Sequence, residues 1–438
     1  MGVGAPTAAD HGTGRAVGMA RRFPLGPALA VPVVWRTPAY RAFAVSLFLV
    51  GLAISSGLPL VTLFLIRDLH IGASVAGLFF LTALAGPVVS VATGRLSDRL
   101  PSRAPLIRGS ALWLAAGWAL MAVAREPWLA YAVGLVFFCV IGTLSAQVFA
   151  ALRDVLAREG ERREATVTST IRTAYSLGWI IGPVVGAWLA GALDVRAAFV
   201  ATAALYLASL LPLWRIDAPT RGHDTGGATA DRRPFARANL PLVLFALVCV
   251  LVLSGDAIKL AYLPVYLVGG LKQNVAVFGS LLSVSAIVEL VVMPLTGVLA
   301  DRFGLARVIT GGVVIGALDY GILAGSTALW QLYVVQVLHV AVIAALLGLG
   351  VTYAQRLSHD RAGLASSVFF GAQGLSTPLG GLLGSYGVRL LGVPHVFAIP
   401  SLLCVLSVGA LVAVHRQFVR GQPLSTPSGG STASTRRP

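Results

Sequence analysis

Twelve runs of mostly apolar residues fill this chain, at roughly 40–66, 74–94, 107–124, 129–150, 165–191, 195–214, 240–268, 276–299, 307–325, 329–353, 363–387 and 394–415. A helix needs about 20 such residues to cross the hydrocarbon core of a bilayer. A backbone in lipid must satisfy its own hydrogen bonds, so only helices and closed barrels cross it. The runs are continuous and lack period-two alternation, so they predict helices rather than barrel strands. Only 11% of the 438 residues are charged, against about 25% in an ordinary soluble domain. That supply cannot coat a water-soluble surface. The chain carries +16, a balance that in a soluble protein would suggest nucleic acid. Here the cations punctuate apolar runs, which excludes a soluble enzyme, a secreted scaffold and a nucleic-acid binder. Cys139, Cys249 and Cys404 all fall within apolar runs, so no disulfide framework is implied.

The cations also predict an orientation. With both termini on one side, 26 of the 33 Lys and Arg residues lie on that side, five on the other and two, Arg172 and Lys259, within spans. The positive-inside rule makes the rich side cytoplasmic. Near-exclusive use of arginine over lysine (only Lys259 and Lys272) hints at a bacterial genome rich in G and C. The expected setting is thus a bacterial cytoplasmic membrane. Residues 1–36 and 416–438, rich in Gly, Ala, Ser, Thr and Pro, are expected to be disordered cytoplasmic tails. Arg21-Arg22 superficially resembles a twin-arginine signal, but the stretch after it is short and carries Pro24, Pro27 and Pro32. The polar segment 215–239 divides the chain into a first bundle, 37–214, and a second, 240–415, of six spans each.

The two halves repeat one another. Gly94-Arg95-Leu96-Ser97-Asp98-Arg99 after span 2 recurs as Gly297-Val298-Leu299-Ala300-Asp301-Arg302 after span 8, 203 residues later. The same offset carries Arg153 onto Arg356, and Leu58-Pro59-Leu60 matches Leu263-Pro264-Val265 at an offset of 205. Two six-helix bundles in the same orientation form a parallel repeat about an axis along the membrane normal. Gly94-x-x-x-Asp98-Arg99 and its second copy resemble the loop signature of the major facilitator superfamily; the first copy departs from it at Pro101 and Ser102. Gly178-Trp179-Ile180-Ile181-Gly182-Pro183-Val184-Val185-Gly186 resembles the motif of that superfamily's exporters. Leu58-Pro59-Leu60, Ile171-Arg172, the Leu177 to Pro183 run and Glu289 are similar to the bacterial sugar efflux transporters within it. The resemblance implies an all-α membrane protein of twelve transmembrane helices, exporting sugars or glycosides by alternating access, in exchange for protons. It implies no cofactor, no enzyme activity and a monomer with small-molecule, proton and lipid partners.

Candidate residues follow. Gly94 and Gly297 permit close approach of helix ends, with Asp98, Arg99, Asp301 and Arg302 forming a gating latch; the plainer alternative is loops that need charge. Gly178, Gly182 and Gly186 line one helix face beside Pro183, which suits packing at the seam between the halves. Ionisable groups inside spans are costly and mark cavities or partners. Arg172 and Glu289 each lie eight residues from the cytoplasmic end of a span, roughly 12 Å up the helix. In the resembling fold those spans are neighbours across the seam, so the two are expected to share a cavity level and to pair. Glu289 is the first candidate for proton coupling and Asp256 the second, although Asp256 and Lys259, three apart, can also neutralise each other. Asp319 and His339 read more readily as locally satisfied packing residues. Gln147, Gln336 and Gln373 offer hydrogen bonds to sugar hydroxyls, and Trp179 a stacking face. No Walker loop, catalytic set or metal spacing is present. A multidrug proton antiporter with Phe79, Phe80, Phe369 and Phe370 lining its cavity stays open, as does a receptor or lipid-handling enzyme on the same scaffold.

Overall fold

The computed structural model describes residues 34–161, 164–214, 240–358 and 362–421. The expected tails over 1–33 and 422–438 and the expected interdomain loop 215–239 lie outside the described residues. Among the described residues, twelve helices of more than ten residues follow one another: α1 Pro38–Arg67, α2 Ala73–Ser97, α3 Ala104–Val123, α4 Pro127–Glu159, α5 Glu164–Ala192, α6 Val195–Ala208, α7 Leu240–Gly270, α8 Ala276–Phe303, α9 Leu305–Ala324, α10 Leu329–Leu357, α11 Ala362–Leu391 and α12 Ala398–Gly421. Ten of these segments are long and apolar enough to cross a membrane by length and composition. The sixth, α6, is short at 14 residues and continues through turns to Trp214. α11 is 30 residues long but carries seven glycines, which dilute its hydropathy.

Local chemistry sets the ends. The Asp194 carboxylate accepts from the Ala197 N–H at 2.6 Å and caps α6. Gly160, at φ +65°, takes the left-handed conformation that stops α4. α12 runs to Gly421 rather than ending near 415, since no glycine or proline interrupts 411–420. Val34 to Arg36 is helical and Val34 is buried, so these residues belong to the fold and not to a tail.

The repeat appears as matched irregularities. α1 tightens into a 3-10 turn at Leu58–Leu60, where Pro59 removes a donor, and α7 widens into a π-turn at Tyr266–Gly270 just after Pro264. α4 tightens at Phe138–Val140, and α10, its repeat partner, widens at Ala344–Gly348. One apolar core is built from residues 34–213 together with Val275, the other from 242–414 together with Phe80.

The halves meet at the end away from the chain termini, hereafter the far end. There the Tyr262 hydroxyl donates to the Ala73 carbonyl at 3.0 Å and the Ser385 hydroxyl to the Ser74 carbonyl. A Cβ placed on Gly381 would lie 2.8 Å from the Gly77 carbonyl, and one on Gly279 would lie 2.9 Å from the Pro183 carbonyl. Backbone therefore packs on backbone between α2 and α11 and between α5 and α8. At the opposite, tail end, Gly94, Gly297 and Gly371 face open space. The space between the bundles is closed at the far end and open at the tail end.

Candidate functional site

Four ionisable side chains meet inside the second bundle. The His339 imidazole on α10 lies between two carboxylates: Nε2 is 3.0 Å from Asp256 Oδ1 on α7, and Nδ1 is 3.0 Å from Asp319 Oδ2 on α9. Lys259 Nζ on α7 lies 3.8 Å from the same Asp319 oxygen. Burial rises along this chain. The Asp256 side chain is 48% exposed, His339 7%, Lys259 4% and Asp319 0%. One end of the cluster is thus reachable and the other sealed. Gly255 and Gly380 let α7 sit close to α12 and α11, and the α7 face beside α9 carries Lys259 to Asp319. The Tyr320 ring stands edge-on to His339, with 5.8 Å between centroids.

The geometry dictates a charge state. A ring with a carboxylate at hydrogen-bond distance from each nitrogen satisfies both by donating from both, which requires an added proton. Asp256⁻, His339⁺, Asp319⁻ and Lys259⁺ then sum to zero. Buried charges persist when paired in this way and are costly otherwise. The cluster is chemically equipped to hold a proton at its exposed end and to give it up there.

Glu289 joins the same wall. Ser285, Glu289, Met293 and Thr296 share one stripe of α8, and that stripe faces α10: the Ser285 hydroxyl donates to the Gln336 carbonyl at 3.3 Å, and a Cβ on Gly348 would lie 3.7 Å from Met293. Glu289, one turn past Ser285, is therefore level with His339. It is half-buried and makes no hydrogen bond or ion pair among the described residues. Arg172 on α5 is exposed, and no ion pair joins it to Glu289, because the inner part of the α5–α8 seam is open. Asp256 and Lys259 do not pair with each other either; each has a closer partner on another helix.

Part of the expected latch falls outside the described residues. The side chain of Asp98 lies outside the described residues, and Arg99 is exposed. The buried ion pair at this end is Arg103 Nε to Asp154 Oδ2, 2.7 Å, with Arg103 also donating to Ser97 Oγ at 2.5 Å. Gln147 is part of this anchor rather than of a binding surface: its Oε1 accepts from Ser97 Oγ at 2.6 Å and it is 5% exposed. In the second half Asp301 is exposed and the Arg302 guanidinium lies 5.3 Å from the Phe303 ring. Residue 357, which repeats Asp154, is leucine, so no equivalent pair forms.

The glycine face of α5 also meets a different neighbour. Cβ atoms on Gly178, Gly182 and Gly186 would strike the backbone of α1 between Phe48 and Ser56, inside the first bundle and not across the seam. Ser55 Oγ donates to the Gly178 carbonyl at 3.2 Å in the same contact. Pro183, one residue off that face, is the one at the seam, through its carbonyl against Gly279. Gln336 is 1% exposed, and its side-chain amide has no partner among the described residues. Gln373 is partly exposed on α11, and Trp179 is 43% exposed with Tyr175 edge-on at 6.5 Å. Phe79, Phe80 and Phe369 are buried in the cores, and only Phe370 of that set is exposed.

The residues that reasoning from sequence undervalued are Asp319 and His339, which read as packing groups and prove to be the centre of the cluster. The available signal was that the acids falling within the apolar runs, Asp256, Glu289 and Asp319, all lie in the second half, as does His339.

Comparison with known proteins gives consistent relatives. The family model described as Major Facilitator Superfamily matches residues 43–274 and again 244–437. The chain is similar to sugar efflux transporter A of Dickeya chrysanthemi, 30% identical over 329 residues, 75% of this chain and 83% of that one. It is 26% identical to sugar efflux transporter B of Salmonella typhimurium, over 89% of this chain and 98% of that one. Multidrug resistance protein MdtG of Dickeya zeae is 25% identical over 86% of this chain and 94% of its own. Among solved structures, the nucleoside transporter NupG shares the fold at a TM-score of 0.71 and 15% identity, covering 86% of this chain and 98% of that one.

Proposed function

Because the chain belongs to the Major Facilitator Superfamily and is a membrane transporter rather than an enzyme, we propose that it exports sugars or glycosides in exchange for protons. The observation that carries this reading is the Asp256–His339–Asp319–Lys259 cluster, sealed at one end and open at Asp256. The tail end is taken as cytoplasmic, on the bias of 26 cations to five. The conformation described here, open at that end, is then the one that loads substrate from the cytoplasm.

In this cycle a proton on His339 leaves through the Asp256 carboxylate to water between the bundles. Asp256 is then a free acceptor, and sugar hydroxyls donate to it and to Glu289, one level with His339 on α8. Proton and substrate compete for one carboxylate, so each occupies the site when the other is absent, which is what obligatory exchange requires. Trp179 and Gln373, both at least partly exposed, offer a stacking face and an amide for sugar recognition. The Dickeya chrysanthemi and Salmonella typhimurium relatives support a sugar substrate.

The test uses purified full-length protein in liposomes with an imposed pH gradient and radiolabelled lactose or an alkyl glucoside. Uphill movement that follows the gradient, lost in Asp256→Asn, is expected. Movement of lipophilic cations without sugars would replace this reading with drug antiport, and sugar uptake indifferent to the gradient would remove proton exchange.

A further inference from the structure

Lys259 is not needed to hold the second bundle together by hydrogen bonding: its ammonium makes no hydrogen bond among the described residues, and its one ionic contact is Asp319 at 3.8 Å. It is nonetheless 3% exposed in the interior of a membrane-spanning helix, where an ammonium is kept only for a reason. Asp319, wholly buried, is shared between that ammonium and His339 Nδ1. Two cations thus compete for one buried anion, while the second carboxylate, Asp256, is half in solvent.

We propose that Lys259 is a positioning residue for proton exchange: its fixed charge neutralises Asp319, so that His339 releases its proton without leaving an unpaired charge in the sealed part of the cluster. This rests on the reading of the cluster as the proton-exchange site. The step balances simply. The Nε2–H bond of His339 breaks, the proton passes to the Asp256 carboxylate and from it to water, and the lone pair stays on Nε2. Before release the four charges cancel. Afterwards Asp319⁻ and Lys259⁺ cancel in the interior, and the single remaining charge sits on Asp256, where water reaches it. Without Lys259 the same release would strand Asp319⁻ in a site with 0% exposure, so the proton would be held. The groups facing His339 are Asp256 and Lys259 from α7, Glu289 from α8 and Asp319 with Tyr320 from α9; Cys404 from α12 stands beside Asp319. Lys259 carries the one amine among them, set against Asp319.

The experiment follows His339 itself. Full-length protein labelled with ¹⁵N-histidine in nanodiscs is titrated by imidazole-nitrogen NMR, and the His339 signal is assigned by its loss in His339→Asn. Lys259→Met is expected to move the midpoint of His339 proton release up by at least about one pH unit. Asp319→Asn is expected to move it down, and the double variant to return it to within about half a unit of the starting value. Lys259→Arg, which keeps the charge, is expected to leave it in place and guards against a Lys259→Met protein that fails to fold. An unmoved midpoint in Lys259→Met, or no return in the double variant, overturns the proposal. A purely packing role for Lys259 would produce neither the opposite shifts nor the return. Failure of the underlying reading shows itself separately, as pH-driven export that survives His339→Asn.

Discussion

Arg103→Met tests the anchor at the tail end of the first bundle. The substitution keeps most of the apolar stem and removes a guanidinium that bonds Asp154 at 2.7 Å and Ser97 at 2.5 Å, with both charged side chains only 7% exposed. Breaking a buried pair by deleting one partner strands the other charge and costs about 3–5 kcal/mol. Deleting both charges removes the stranded ion, so Arg103→Met with Asp154→Leu is expected to recover most of the loss. Ser97 and Gln147 remain bonded to each other at 2.6 Å in either case. The apolar alternative already exists in this fold, because the second half carries Leu357 where the first has Asp154. On the scale of a 150–250-residue domain, the single variant should melt roughly 6–20 °C below the parent. Tryptophan fluorescence of detergent-purified protein, heated at one fixed scan rate, reads this directly. A single variant melting within a few degrees of the parent, or a double variant melting as low as the worse single, would refute the argument that the charges are held as a buried pair.

Two other perturbations have defined outcomes. Gly186→Ala drives a methyl into the Ser56 carbonyl and should cost about 1–3 kcal/mol in the same melt, whereas Gly94→Ala meets open space and should leave stability unchanged; transport lost in Gly94→Ala would then report a close approach made only in the other conformation. Arg196, which donates to the Ala122 and Ala124 carbonyls at 2.7 and 2.8 Å, also opposes the effect of burial, which pushes the Asp68 carboxyl above its ordinary value. With Arg196→Ala that opposition is gone, the folded state favours protonated Asp68 more strongly, and stability should fall as pH rises through the carboxylate range; an equal loss at every pH would mean that only the carbonyl contacts matter.

Twelve apolar runs and a 203-residue repeat were legible because both are one-dimensional properties: hydropathy and register survive in the sequence without knowledge of neighbours. The smooth face of Gly178, Gly182 and Gly186 was legible for the same reason, but its partner was not. Spacing says which side of a helix is bare, and only packing says that α1 lies there and not α8. Asp256 and Lys259, three apart on one helix, read naturally as a local pair. Other acceptors and donors within 4 Å on α9 and α10 prevail over that proximity. Counting from the α9–α10 turn, Asp319 lies roughly 7 Å and His339 roughly 15 Å along their helices. Rise arithmetic alone therefore separates two residues that the tilt of the helices and the reach of the side chains bring to 3.0 Å.

The glycine-rich composition of α11 has a consequence for how the protein is made. A segment enters the bilayer on its own when its transfer from water is favourable, and α11 lacks the hydropathy of its neighbours in sequence, α10 and α12, which are among the most apolar spans of the chain. Those two insert on their own account and, being tethered to both ends of α11, draw it across. What then retains it is α7, against which Gly380 and Gly384 seat, and the far end of α2, which takes Gly381. The last helix of the chain thus acts as a stop for the one before it: a protein truncated ahead of Ala398 would leave α11 free to slip back toward the tail side, taking with it one wall of the far-end closure.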